Sequence, residues 1–218
     1  MSIKSELKRK SLHLTGLTVP LIYICCGRTA TLAFVGLAFA VFVILEPFRI
    51  VEEWRDRIKY GLLKIYPSPQ LGRGIEFIEG HIDDITRPHE REGIAAHIYF
   101  AAASFVVVYF FPREMAIGAI TVATLGDALA AIVGKSFGRH RFSNGKSLEG
   151  SLAYFLTAIF VLTPLVGLFP ALASALVGTA VEFYNLPPDD NFSNQLAVAF
   201  TVFVVDSLLP LFSSTACL

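Results

Sequence analysis

The sequence predicts an all-α fold, a polytopic bundle of about seven transmembrane helices that forms one domain over residues 1–218. Three observations support this. Of the residues, 54% are hydrophobic and only 17% are charged, whereas a soluble domain carries about 25% charged residues. The charged residues are clustered along the chain. The apolar runs between the clusters approach the roughly 20 residues that a helix needs to cross a bilayer.

Seven apolar segments predict the individual helices. The first follows several basic residues, as the apolar part of a signal peptide does. No cleavage site of small residues comes after it, so we interpret it as a retained helix. The sixth is short, and a half-buried or re-entrant helix is an alternative to a full span. The predicted helices are residues 12–27, 29–46, 94–112, 115–134, 150–169, 171–184 and 195–212.

The distribution of Lys and Arg predicts the orientation in the membrane. Of these 18 residues, 16 lie in the N-terminal tail, in the loop after the second segment or in the loop after the fourth. Only Arg28 and Arg113 lie at the other end. Because cytoplasmic loops carry the excess of basic residues, we expect the N-terminus in the cytoplasm and the C-terminus outside. The formal net charge is zero, so charge indicates no class of partner, and we expect no nucleic-acid binding.

Three loops are therefore predicted on the cytoplasmic face. The first contains an amphipathic helix at residues 52–66, which we expect to pack on the membrane surface or on the bundle. Its predicted apolar face consists of Trp54, Ile58, Leu62 and Ile65. The second loop is rich in glycine and basic residues, and the third is acidic. The three loops are residues 47–92, 134–150 and 185–194.

Asp127 lies inside the fourth apolar segment, about two helical turns before its cytoplasmic end. An ionised side chain within a span costs about 2.5–3.5 kcal/mol, so such a residue indicates a functional site. The alternative is a structural Asp paired with a neighbouring helix. Asp206, in the seventh segment, is a second acid of this kind, and the sequence indicates neither its depth nor its partner.

The tripeptide Gly-Lys-Ser occurs twice, at residues 134–136 and 145–147. A P-loop needs a glycine five residues before this tripeptide, after a strand. Here those positions hold Leu129 and His140, and an apolar helix replaces the strand. The stretch is therefore not a P-loop.

The same stretch is nevertheless a candidate phosphate site. Its cations, together with backbone amides made accessible by Gly134, Gly138, Gly145 and Gly150, are suited to bind a polyphosphate. The alternative is an ordinary positively charged cytoplasmic loop. The candidate phosphate-binding cations are Lys135, Arg139, His140 and Lys146.

Acidic residues are predicted at the same depth as this loop. Clustered carboxylates beside a phosphate site are what a nucleotide-bound Mg²⁺ requires. The candidate ligands are Asp127, Glu149, Glu182 and Asp190. Further charged residues lie at helical spacing near the predicted cytoplasmic ends of the first three segments. These additional site candidates are Arg9, Lys10, His13, Glu46, Arg49, Arg87 and Glu90.

Residues 124–155, "TLGDALAAIVGKSFGRHRFSNGKSLEGSLAYF", resemble the signature of the CTP-dependent lipid-alcohol kinases, a family that includes dolichol kinase, phytol kinase and CTP-dependent diacylglycerol kinase. The shared pattern is Gly-Asp, spaced glycines with basic residues, and then Lys-Ser-x-Glu-Gly-Ser. Three outlying features also match: Arg9-Lys10-x-x-His13, Glu46-x-x-Arg49, and Glu182 followed by Asp190-Asn191. The resemblance covers nearly the whole chain, and this chain would be a compact member.

The resemblance implies phosphoryl transfer from CTP to the hydroxyl of a lipid alcohol, of the polyprenol and dolichol type or the phytol and geranylgeraniol type, at the cytoplasmic face of the membrane. It implies Mg²⁺ or another divalent cation. The residues expected to be catalytic are Asp127, as metal ligand or base, Lys146 and Glu149. The residues expected to bind the nucleotide, besides the cations above, are Gly126, Gly134, Gly138, Ser147, Gly150, Ser151 and Asn191.

Three alternatives remain open from the sequence. A cytidylyltransferase would transfer CMP from CTP to a lipid phosphate, and a diacylglycerol kinase would use a different lipid acceptor. A small transporter would use Asp127 and Asp206, but it predicts two related halves with broken helices, and the sequence has no such repeat. The sequence indicates neither the chain length of the acceptor nor the oligomeric state.

Overall fold

The computed structural model of the chain describes residues 3–50, 52–75 and 94–215. Within these ranges the chain forms helices and no strand, and one isolated antiparallel bridge joins Arg141 to Ser147. The predicted all-α fold class is therefore confirmed.

The helices are labelled here in chain order. A single 3₁₀ turn, Thr15–Leu17, joins the first helix to the second, and residues 69–75 are also helical. The helices are α1 (Ile3–Leu14), α2 (Thr18–Ile50), α3 (Glu52–Ile65), α4 (Ala96–Phe110), α5 (Arg113–Phe137), α6 (Leu148–Val166), α7 (Leu168–Tyr184) and α8 (Asp190–Thr215).

Four stretches of the described chain are long and apolar enough to cross a membrane, and α4 and α7 are shorter apolar helices. This composition supports the predicted membrane bundle, while the count of seven spans stays a prediction. The short sixth segment begins earlier than expected, at Leu168, because Gly167 alone separates it from α6. The four stretches are Lys8–Pro47, Arg113–Phe137, Leu148–Val166 and Asp190–Leu209.

The chain reverses direction at Gly27, inside α2. Before this residue the chain runs along α5: His13 Nε2 lies 3.4 Å from the carbonyl oxygen of Ala123, and Arg113 donates to the carbonyl of Ile24. After it the chain runs back along α4. Arg28 donates to the carbonyl of Val108, and the ring of Phe42 lies 4.5 Å from that of His97. The segments predicted at 12–27 and 29–46 are therefore two antiparallel segments joined at Gly27.

The reversal depends on a backbone conformation that glycine adopts readily, with φ 78° and ψ −177° at Gly27. We expect Gly27→Ala to lower the free energy of unfolding by about 1–3 kcal/mol, because side chains rarely tolerate this region. No atom lies within 4 Å of an added Cβ, so the cost is conformational rather than steric. Thermal unfolding in detergent measures it.

A matched control is Gly61→Ala, since Gly61 lies in helix α3 and its added Cβ also meets no atom within 4 Å. Alanine is favoured over glycine in a helix by roughly 0.5–1 kcal/mol, so this variant should be at least as stable as the parent. Equal stability of the two variants would contradict a special conformation at Gly27.

Helix α5 lies at the centre of the bundle. It packs against α1, α6 and α8, and its side chains Ala119, Ile120 and Val122 have no exposed surface. Asp127 is thereby held between helices rather than against lipid. The predicted amphipathic helix forms as α3, but Ile58, Leu62 and Ile65 are exposed. Its packing on a membrane surface stays a prediction.

Candidate functional site

The Gly-Lys-Ser stretch forms a closed loop between α5 and α6. Phe142 N donates to the Lys146 carbonyl at 2.9 Å, and Leu148 N donates to the His140 carbonyl at 3.0 Å. Ser147 caps α6 by accepting a hydrogen bond from Gly150 N at 3.1 Å. A helix precedes the loop, as expected for a site that is not a P-loop.

The glycines of this loop let the two helix ends pack closely. An added Cβ would lie 2.9 Å from Ser147 Oγ at Gly134, 2.1 Å from the Gly134 carbonyl oxygen at Gly138, and 2.7 Å from the Ala130 carbonyl oxygen at Gly150. The amides of Gly138, Gly145 and Gly150 already donate hydrogen bonds within the protein. The expectation that these three amides are available to phosphate is therefore corrected, and the cationic side chains remain the candidate phosphate ligands.

One cavity of about 280 Å³ lies beside this loop, between α1, α5, α6 and α7. Eleven of the residues predicted from the sequence line it: Arg9, Lys10, Asp127, Gly134, Lys135, Gly145, Lys146, Ser147, Gly150, Ser151 and Glu182. The other lining residues are Ala130, Ala131 and Arg141. The fold thus brings the N-terminal Arg-Lys pair next to a motif more than 100 residues later in the chain.

Asp127 pairs with α1 across the first side of this cavity. The Lys10 ammonium group donates to Asp127 Oδ2, and His13 Nε2 lies 3.4 Å from the same oxygen. Lys10 is only 1% exposed, so each buried charge needs the other. Asp127 is therefore paired with a neighbouring helix and also lines the cavity, and its role in a reaction stays a prediction.

Glu182 pairs with the loop across the opposite side. The Lys146 ammonium group donates to Glu182 Oε1. The other oxygen, Oε2, and the hydroxyl of Ser151 are buried, and neither has a hydrogen-bond partner within the described part of the chain. A buried polar atom left unsatisfied costs about 1–3 kcal/mol and often indicates a bound ion, water or ligand. Both atoms belong to residues that line the cavity.

The charges of the cavity suit a polyanion with a divalent cation. Five basic side chains face two carboxylates there, those of Asp127 and Glu182. No group of three or more His, Cys, Asp or Glu in the described residues is arranged as a complete metal site. Mg²⁺, however, often uses one or two carboxylates and completes its shell with substrate phosphates and water. The carboxylates of Asp127 and Glu182, the latter with its Oε2 unsatisfied, supply oxygen ligands of the kind that such a shared site uses.

Glu149 does not line the cavity. His140 Nδ1 lies 2.9 Å from Glu149 Oε1, and the His140 backbone N–H donates to the same oxygen at 3.2 Å. With Ser136, Phe137, Gly138 and Arg139, these two residues line a second recess of about 560 Å³. The four acids predicted as one metal site are therefore divided, and Glu149 lies in the recess.

Asp190 and Asn191 lie at the start of α8 and do not line the cavity. The Asp190 carboxylate interacts electrostatically with Lys10 and Glu182. Asn191 Nδ2 donates to Asp189 Oδ1 at 2.9 Å and to Asp190 Oδ1 at 3.1 Å. Asp190 is thus close enough to affect the charges of the site, and Asn191 organises the helix terminus.

Gly126 allows α5 to pack closely against the ring of Tyr154. A Cβ at Gly126 would lie 2.7 Å from the ring of Tyr154, and one at Gly178 would lie 3.0 Å from its hydroxyl oxygen. Tyr154 is fully buried and donates to Asn194 Oδ1. Its ring therefore sets the spacing between α5, which carries Asp127, and α7, which carries Glu182. The sequence prediction missed Tyr154 and Asn194, although polar groups inside apolar segments need partners.

Glu46 and Asp206, two of the remaining candidates, do not line the cavity. Glu46 Oε1 accepts a hydrogen bond from Ala95 N at 2.7 Å and so joins the end of α2 to the start of α4. Asp206 is exposed on α8. The side chain of Arg49, and Arg87 and Glu90 as a whole, lie outside the described residues.

The chain is similar in sequence to several known proteins. The chain is 26% identical over 217 residues to an uncharacterised protein of Rickettsia prowazekii, covering 94% of this chain and 96% of that protein. It is 26% identical over 140 residues to the CTP-dependent diacylglycerol kinase 1 of Schizosaccharomyces pombe, covering 63% of this chain. It is 29% identical over 150 residues to a dolichol kinase of the same yeast, covering 64% of this chain.

These similarities confirm the family resemblance carried by residues 124–155. The matched regions span 64% of the diacylglycerol kinase and 26% of the dolichol kinase. No family model and no solved structure matches the chain.

Proposed function

We propose that this chain, a relative of the CTP-dependent lipid kinases, transfers the γ-phosphoryl group of CTP to the hydroxyl group of a lipid alcohol. The main observation is the single cavity in which five basic side chains, two carboxylates and two unsatisfied buried polar atoms meet. Phosphoryl transfer requires mainly positioning and neutralisation of charge. These groups supply both.

The basic side chains hold the triphosphate. Lys10 and Lys146 line the cavity and are held in place by ion pairs with Asp127 and Glu182, so these cations are fixed before a phosphate binds. Lys135 and Arg141 add charge from the helix end and the loop. Preorganised cations of this kind stabilise the charge that develops on the transferred group.

In the reaction, the acceptor oxygen forms a bond to the γ-phosphorus while the bond to the β,γ-bridging oxygen breaks, and CDP leaves with that electron pair. The acceptor proton passes to a carboxylate, for which Asp127 is the candidate. A divalent cation, when bound, would neutralise the phosphate oxygens. Asp127 and Glu182 would hold it, with Asp190 nearby.

The acceptor is proposed to be an isoprenoid alcohol, of the polyprenol, dolichol, phytol or geranylgeraniol type, and diacylglycerol is the alternative. The cavity is proposed to face the cytoplasm. That orientation is supported by the positive-inside distribution of the basic residues and by the need for a site where a soluble nucleotide and a membrane lipid can meet.

Label transfer distinguishes the candidate reactions. The purified protein in detergent is incubated with Mg²⁺, a panel of lipid alcohols, diacylglycerol and phosphatidic acid, and CTP labelled at either the α or the γ phosphorus. We expect that label at the γ phosphorus of CTP enters a lipid alcohol and that label at the α phosphorus does not, because only the terminal phosphoryl group is transferred. Label from α in the lipid would identify a cytidylyltransferase. Absence of label from every lipid would contradict both reactions.

A further inference from the structure

We propose that the second recess binds the base of the nucleotide, and that the carboxylate of Glu149 distinguishes cytosine from uracil. This inference rests on the proposed function, because it assigns the nucleoside of the same donor. It gives Glu149 a role in recognition of the base instead of the metal-binding role suggested by the sequence.

The recess adjoins the cavity along the junction of α5 and α6. On α5, Lys135 lines the cavity and the next two residues, Ser136 and Phe137, line the recess. On α6, Gly150 lines the cavity and the preceding residue, Glu149, lines the recess. The two sites therefore lie at the same ends of α5 and α6, and we infer that one nucleotide spans them.

Glu149 is oriented for recognition. The backbone N–H of His140 donates to it, and the His140 ring lies within hydrogen-bond distance, so the carboxylate is held in one direction. The His140 N–H lies within hydrogen-bond distance of both oxygens, at 3.2 Å from Oε1 and 3.4 Å from Oε2. A carboxylate has about four lone-pair sites, and the proposal assigns a remaining one to the base. The side chain is 26% exposed, as a group that meets a ligand must be.

The base chemistry favours cytosine. Its exocyclic amino group donates a hydrogen bond, which Glu and Asp carboxylates accept. Uracil presents a carbonyl oxygen at the same position, so two acceptors would face each other without a proton between them. A site built around a buried or oriented acceptor rejects a ligand that lacks the donor.

Phe137 offers a surface for the face of the base. Its ring is 70% exposed at the end of α5, beside Arg139 and His140 in the recess. Stacking of a base on an aromatic side chain is worth about 1–3 kcal/mol and hardly depends on which base is present. Phe137 would therefore contribute affinity, and Glu149 would contribute selectivity.

The experiment compares CTP with UTP, both in equilibrium dialysis with the detergent-solubilised protein and as phosphoryl donors. For the unmodified protein we expect at least tenfold preference for CTP in both measurements. Glu149→Gln should reduce that preference by tenfold or more, because an amide can also donate to uracil. Glu149→Asp keeps the carboxylate and should keep the direction of the preference. Phe137→Ala should weaken the binding of CTP and of UTP by the same factor, so that the ratio of the two affinities is unchanged.

The outcomes separate the two proposals. Equal affinity of the unmodified protein for CTP and UTP would overturn the base assignment, and this measurement does not depend on any variant that might fail to fold. An unchanged CTP-to-UTP ratio in folded Glu149→Gln would overturn it as well. Selective CTP binding without transfer of γ label to any lipid would contradict the kinase proposal while supporting the recess as a cytosine site.

Discussion

Asp127→Asn is expected to reduce phosphoryl transfer from CTP by about 10²–10⁴-fold, the range associated with loss of a general base. The substitution preserves the shape of the side chain, and its amide oxygen can still accept a hydrogen bond from Lys10. It removes the charge that would bind a divalent cation and the basic oxygen that would accept the hydroxyl proton. Transfer of γ label to the lipid, measured at saturating CTP, reports the effect.

Two further variants separate the role of Asp127 in the reaction from its role in folding. Lys10 is buried, and breaking a buried ion pair by removing one partner costs about 3–5 kcal/mol. The double variant, which carries both Lys10→Met and Asp127→Asn, removes both charges. We expect the double variant to be more stable in detergent than the single variant Asp127→Asn, and we expect both variants to be equally inactive. Asp206→Asn is the matched control, because Asp206 is exposed on α8 outside the cavity, and it should retain full activity.

Near-normal turnover by folded Asp127→Asn would refute the assignment of this carboxylate. Recovery of activity in the double variant would show that Asp127 serves only to compensate the charge of Lys10.

Lys146→Met is expected to lower both stability and activity, because it leaves Glu182 buried without its cation. The free energy of unfolding should fall by about 3–5 kcal/mol. Phosphoryl transfer should fall by about 10²–10³-fold, as it does when a preorganised donor to the developing charge is lost. Thermal unfolding in detergent and label transfer measure the two effects separately.

The double variant Lys146→Met with Glu182→Gln tests whether these effects have different origins. Without the uncompensated carboxylate, we expect most of the lost stability to return. Activity should stay low, because the phosphate-binding cation and a candidate metal ligand are both missing. Lys64→Met is a suitable control, since Lys64 is exposed on α3 and should affect neither measurement. If the double variant regains activity together with stability, the pair is structural.

Local patterns in the sequence accounted for much of the fold and for most residues of the cavity. Ionisable residues in or beside apolar segments, such as Lys10, Asp127 and Glu182, need polar surroundings, and the fold provides them in one cavity. The helix ends near residues 137 and 148 follow from the glycine-rich, charged stretch between two apolar runs. Helical periodicity also predicts α3, and Ile58, Leu62 and Ile65 of its predicted apolar face are exposed in the structure.

The errors arose where the outcome depends on how a helix is rotated. Depth along the helix predicts Glu149 among the metal ligands. Successive residues of a helix point about 100° apart, and in α6 it is Gly150 and Ser151 that line the cavity, while Glu149 lines the recess. The spacing of the loop glycines predicts accessible amides, but the amides of Gly138, Gly145 and Gly150 are already hydrogen-bonded. Tyr154 was missed because an aromatic residue in an apolar helix is usually lipid-facing or core.

The sequence by itself determined that the chain is a helical membrane protein, which of its helices carry charges, and that these charges gather towards one end. Hydropathy, glycine spacing and the distribution of basic residues are local properties that can be read along the chain. Only the tertiary structure decided which charges meet. Lys10 and Asp127 are 117 positions apart, and Lys146 and Glu182 are 36 apart. Their pairing depends on the reversal at Gly27 and on the close packing of α5, α6 and α7 around Tyr154, which no local pattern specifies.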